Sequence, residues 1–103
     1  MFSLLKVEGN SLEPIVLEGD FVVTSKIPFL FRPVKPGDLI VFQHVFYKTM
    51  IKLVERYEPE TGQIYVTGTH SGSIDSRSFG PIRMKDVIGK VIWQIKRNPK
   101  NKV

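Results

Sequence analysis

No cysteine occurs in this chain, and the only histidines are His44 and His70. Thiol nucleophiles, disulfides and cysteine-bound zinc are thereby excluded, and the two histidines stand at no metal-ligand spacing. Among the nucleophiles that remain are the serine hydroxyls. A serine hydroxyl attacks only when a neighbouring base takes its proton. Lysine can be that base when it is neutral, yet a free lysine keeps its proton to about pH 10.4. Bringing it to near neutrality costs roughly 3 to 4 kcal/mol. Burial among apolar groups supplies that cost, because desolvation disfavours the ammonium.

Two positions suit this chemistry. Lys52 lies in Thr49-Met50-Ile51-Lys52-Leu53-Val54, the most apolar surroundings of any lysine here. On a strand, Met50, Lys52 and Val54 share one face. Lys48 has the same parity but sits nearer the start of that strand. Ser11 lies in Gly9-Asn10-Ser11-Leu12-Glu13-Pro14, where Pro14 forbids helix at Glu13. This places Ser11 on a turn just after a strand, a setting that exposes a hydroxyl while fixing its base of support. From the residues alone, Lys52 also suits a solvent-facing place on an amphipathic strand, and Ser11 suits a turn or a helix N-cap. The two are 41 positions apart, so only tertiary structure can join them.

Read together, three fragments resemble the signal peptidase I family of Ser/Lys proteases, over about Val7 to Ile92. Gly9 to Pro14 resembles that family's G-x-S-M-x-P nucleophile box, with Leu12 in place of Met. Ile51-Lys52-Leu53-Val54 resembles its lysine-bearing strand. Ser73-Ile74-Asp75-Ser76-Arg77 resembles its S-x-D-S-R box. The resemblance implies Ser11 as nucleophile, Lys52 as general base and Ser73 as the hydroxyl that orients the lysine. It implies that Asp75 and Arg77 hold the site loop together, with Ser76 structural as well. Gly9 stands where many relatives carry a serine that donates to the oxyanion, so that donor is absent and the second one is open. Gly68-Thr69-His70 replaces the usual G-D-N, and Leu53 replaces an arginine. In size the chain is similar to a short type of relative, the maturation protease that trims the leader of nickel superoxide dismutase.

The implied activity is that of a serine endopeptidase that removes a leader segment from a precursor protein through an acyl-enzyme, with an extended substrate added beside a strand edge. Two other readings compete. One is a non-catalytic β-fold module that binds a leader peptide or a partner protein. The other is a self-cleaving domain like those of SOS-response repressors, disfavoured because ten residues precede Ser11. No metal or other cofactor is expected, and the absence of G-x-G-x-x-G and of a P-loop argues against nucleotides.

The elements that must position these residues read as β throughout. Strands are expected over Phe2 to Glu8, Phe21 to Lys26, Leu39 to His44, Tyr47 to Tyr57, Gln63 to Thr67 and Asp86 to Lys96. Turns fall at Glu18-Gly19-Asp20 and Pro36-Gly37-Asp38, a hairpin loop at Glu58 to Gly62, and loops over Ile27 to Pro36 and Gly68 to Pro81. The expected fold class is all-β, a small coiled β-barrel-like fold of the signal peptidase and SOS-repressor protease type. Residues 1–95 are expected to form one catalytic domain and 96–103 a basic tail.

The formal net charge is +5, and the tail Lys96-Arg97-Asn98-Pro99-Lys100-Asn101-Lys102 carries four of the positive charges. No aromatic residue interleaves with them, which argues against nucleic acid as partner. No apolar run approaches the roughly 20 residues of a membrane span. The chain as given therefore reads as soluble, cytoplasmic or membrane-peripheral, with Pro28-Phe29-Leu30-Phe31 as the candidate peripheral contact. The oligomeric state is not legible.

Overall fold

The computed structural model describes residues 2–8, 12, 15–69 and 74–96. Seven strands form one antiparallel sheet: β1 (Phe2–Lys6), β2 (Phe21–Ser25), β3 (Leu39–His44), β4 (Lys48–Glu58), β5 (Gln63–Thr67), β6 (Ile82–Arg83) and β7 (Val87–Ile95). Their spatial order is β1-β2-β7-β3-β4-β5-β6. The one α-helical segment among the described residues is a single turn, α1 (Ser76–Phe79). The all-β expectation holds. Among the described residues the sheet is open, with β1 and β6 at its two ends, and is not closed into a barrel.

β-Branched and aromatic runs make these strands, and buried aspartates fix the turns between them. Asp38 follows Gly37, whose φ of 95° is easy only for glycine. The Asp38 carboxylate accepts from the Lys35 N–H at 3.1 Å and from both terminal nitrogens of Arg32 at 3.0 Å each. Asp20, after Gly19, accepts from the Leu17 N–H at 3.0 Å and from Gln94 Nε2 at 3.0 Å, which ties the first turn to β7.

The sheet coils. Its register shifts between Val23 and Thr24 against β7, between Val41 and Phe42 against β7, and between Val54 and Arg56 against β5. Such bulges bend a strand and increase local twist. As a result the two faces hold different cores. Val7, Leu12, Val16 and Val22 pack on one face with Leu5, Leu39, Ile51, Leu53 and Val91, drawing on five strands. On the other face Ile40, Phe42, Val54, Ile64, Val66, Ile82 and Val87 pack under Val34 and Phe79.

Three local departures from the sequence reading have short length as their cause. The stretch expected as loop over Ile27 to Pro36 begins with a 3-10 helix, Ile27–Leu30, started by Pro28. The stretch expected as loop over Gly68 to Pro81 contains α1, and β6 follows it with only two residues. None of these is long enough to show a period. Within the Pro28 to Phe31 segment, Phe29 packs against the core while Leu30 and Phe31 are exposed. The basic tail beyond Lys96 lies outside the described residues. Among the described residues no helix is long and apolar enough to cross a membrane.

Gly89 marks the tightest approach in the sheet, because a Cβ there would stand 2.9 Å from the Ser25 backbone nitrogen. Gly89→Ala is expected to lower unfolding stability by about 1 to 3 kcal/mol, read as a fall in the urea midpoint with an unchanged slope.

Candidate functional site

β4 carries Lys52 into the interior. Opposite it on β3 stands Ile40, fully buried, and Lys52 itself is 2% exposed. Desolvation lowers its pKa from the ordinary lysine value, and the nearby charge of Asp75 opposes that shift. Lys48, four residues earlier, is exposed and takes a φ of 65° as the β3–β4 hairpin closes. Identical parity therefore gives two different environments, because only Lys52 lies under the coil of the sheet.

Asp75 lies between Lys52 and solvent-facing Arg77. Arg77 donates from Nε to Oδ1 at 2.9 Å and from a terminal nitrogen to Oδ2 at 2.8 Å, a two-pronged pair. The Arg77 backbone N–H also reaches Oδ1 at 3.0 Å, so Asp75 caps α1, and the Gly68 N–H reaches Oδ2 at 3.2 Å. The Arg77 guanidinium, followed by these backbone donors, holds the Asp75 carboxyl well below the usual carboxylate range. The same pair keeps the Asp75 charge largely engaged, so it offsets only part of the desolvation of Lys52. The adjacent Ser76 hydroxyl accepts from the Val66 N–H at 2.9 Å and binds the loop to β5.

A cleft of about 450 Å³ opens over Lys52. Leu5 to Glu8 form one wall and Thr49 to Lys52 the other, with Tyr47 and Ile74 at its margins. β1 and β4 are separated by three strands in the sheet, so they border one cleft only because the sheet coils. Both walls offer open strand edges among the described residues. β1 pairs only with β2, and β4 pairs with β5 only from Leu53 onward. The Val54 N–H and carbonyl bond to Asp38 and Gly37 on the β3 side. The two-residue alternation then turns the backbone groups of Thr49 and Ile51 toward the open edge. On β1, Val7 bonds to Asp20 and Gly19, which turns Lys6 and Glu8 to the open side in the same way.

Of the residues expected from the sequence, Lys52, Asp75 and Arg77 come together. Ser11, Ser73 and Gly9 lie outside the described residues. Their sequence neighbours are described. Leu12 is buried and packs in the cluster that includes Ile51 and Leu53, the residues on either side of Lys52. Ile74 reaches the cleft, and Asp75 is fully buried. The expectation missed Tyr47 and the bond from Ser76 to Val66. It also missed the capping role of Asp75, although an aspartate immediately before a short polar run is itself an N-cap signal. Among the described residues no three His, Asp or Glu side chains gather for a metal ion.

No family model matches the chain. The chain is 30% identical over 99 residues to signal peptidase I V of Bacillus subtilis strain 168. The similarity is to the signal peptidase I family. It takes in 82% of this chain and 59% of the relative, so the chain spans about six-tenths of the length of the signal peptidase it matches. The likeness supports a relationship at the level of that peptidase family.

Two consequences of the electrostatics are testable. A lowered lysine pKa means that, between the folded value and the ordinary one, the unfolded chain binds more protons, so stability rises with pH across that window. Lys52→Met removes this burden and is expected to be about 1 kcal/mol more stable than wild type at pH 7. The advantage should fade as pH rises toward the ordinary lysine range, which thermal melts over a pH series will read. Asp75 gives a slope of the same sign, because its pKa is lowered too, but its net effect is stabilising: the contribution is fully present above the usual carboxylate range and is lost as pH falls toward the depressed value. Asp75→Asn is expected to lose roughly 2 kcal/mol at pH 7, because it leaves buried donors without a charged acceptor, and to lose less in acid.

Proposed function

We propose that the chain is a serine endopeptidase of signal peptidase I type, with a catalytic domain over 1–95 and a basic tail over 96–103. Ser11 attacks a peptide carbonyl of a leader or signal segment, and Lys52 takes the hydroxyl proton. Lys52 then passes that proton to the leaving amine, which departs with the leader's downstream product. Water, deprotonated by the same amine, hydrolyses the Ser11 ester and restores the enzyme. Ser73 orients the Lys52 amine, Asp75 and Arg77 hold the loop that carries it, and the Ser11 N–H is the first oxyanion donor. Gly9 adds no hydroxyl there.

The observation that carries this reading is the burial of Lys52, its pKa lowered by desolvation, in the lining of a cleft walled by two strand edges that are open among the described residues. A buried neutral amine is a base, whereas a lysine retained only for solubility stays in water. The edges support an extended peptide as substrate, since Thr49, Ile51, Lys6 and Glu8 offer backbone partners along its length. The apolar walls from Leu5, Val7 and Ile51 favour small uncharged side chains beside the scissile bond.

Cleavage of two model precursors tests the reading, one with a signal peptide ending Ala-x-Ala and one with the short leader of nickel superoxide dismutase. Ser11→Ala and Lys52→Ala are each expected to abolish cleavage, by at least 1000-fold, while circular dichroism stays that of wild type. The rate should rise on the alkaline side of neutrality as Lys52 loses its proton. Retained leader binding with no cleavage by wild type would support the non-catalytic module instead. Full activity in either variant would remove the Ser11–Lys52 pair from the mechanism.

A further inference from the structure

The tip of the β3–β4 hairpin, Val45-Phe46-Tyr47, is tied down by the side chain that precedes it. His44 Nδ1 accepts from the Phe46 N–H at 3.1 Å and from the Tyr47 N–H at 3.3 Å. The centroid of the His44 ring lies 5.1 Å from that of Tyr47 and 4.8 Å from that of Phe79, and Tyr47 and Phe79 are 6.0 Å apart. The three rings form a triangle at separations that aromatic pairs favour. Phe79 is the last residue of α1 and packs against the core. Asp75 caps the same turn, so Tyr47 is braced on the segment whose carboxylate acts on Lys52.

Tyr47 is nonetheless 45% exposed, and it lines the cleft that holds Lys52. The lining residues between the two, Thr49, Met50 and Ile51, are uncharged, whereas Lys6 and Glu8 belong to the opposite wall. Tyr47 precedes Lys52 by five residues. A strand advances about 3.3 Å per residue, so Tyr47 stands roughly 15 Å from Lys52 along the wall. A peptide laid on the open edge of Thr49 and Ile51 advances at the same rate. Its side chain about five positions from the bond held at Lys52 therefore falls beside the Tyr47 ring. A ring that is already fixed loses little freedom when an apolar side chain covers it. We propose that Tyr47 is a specificity-determining residue, which receives a large aliphatic or aromatic side chain of the peptide at that distance from the scissile bond. This rests on the cleft taking an extended peptide, as in the protease reading, and does not require the Ser11–Lys52 chemistry.

The test is equilibrium binding, which separates the two. Short fluorescein-labelled peptides built on Ala-x-Ala, with a single Leu, Phe, Ser, Asp or Lys walked along each side, are titrated against the full chain carrying Ser11→Ala and read by fluorescence polarisation. At one position, about five residues from the central bond, Leu and Phe are expected to bind about tenfold tighter than Ser or Asp. Tyr47→Phe is expected to keep this preference, and Tyr47→Ala to remove it at that position alone. Tyr47→Glu, a second variant at the same exposed site, is expected to turn the preference toward Lys there. Circular dichroism checks that each variant folds. The proposal is overturned if no peptide binds, if no position shows a preference, or if Tyr47→Ala weakens every peptide equally, which would make the ring structural. The expected preference in a chain whose wild type cleaves none of these peptides supports the role of Tyr47 and removes the Ser11–Lys52 mechanism instead.

Discussion

A lysine amine cannot stay charged in an apolar interior without a cost, and the arrangement around Lys52 follows from how that cost is handled. Ile40 faces it across the β3–β4 ladder, and the cleft walls keep its flanks apolar. Among the described residues, Asp75 is the carboxylate near enough to favour the ammonium. Had Asp75 been left to Lys52 alone, a buried ion pair would have kept the lysine protonated. Arg77 and the Gly68 and Arg77 N–H groups occupy the carboxylate instead. A charge placed for structure is thereby kept from undoing the desolvation of its neighbour.

Coiling of the sheet is the second constraint, and it links fold to cleft. β1 and β4 face each other over Lys52 only because bulges at the β2–β7 and β3–β7 junctions bend the intervening strands. Gly89 permits the close approach that this bend requires against Ser25. The same coil gives β1 two unlike sides. One serves the interior and the cleft, and the other presents Phe2 and Leu4 outward.

Much of this was legible in the residues. Gln63 to Thr67 and Leu39 to His44 are strands because β-branched and aromatic residues fill them, and the turns before and between them carry glycine, proline and aspartate where those types are needed. The apolar setting of Lys52 allowed its burial, although the residues alone suited a solvent-facing place as well. Its apolar setting and the place of Lys48 nearer the strand start set the two apart in sequence; the coil of the sheet that covers only Lys52 was not legible. α1 and β6 are too short to leave a periodic trace. Asp75 was expected as loop support with Arg77, two residues on, whereas its bond from the Gly68 N–H, seven residues back, emerges only in three dimensions.

The central claim is that burial lowers the pKa of Lys52 from the ordinary lysine value, and an NMR titration of the lysine side chains in the intact chain tests it most directly. With lysine labelled at Cε and Nζ, and Lys52→Met used to assign its signal, the account predicts that Lys52 loses its proton below the ordinary lysine value. A Lys52 signal that titrates at the ordinary lysine value, about pH 10.4, would contradict it.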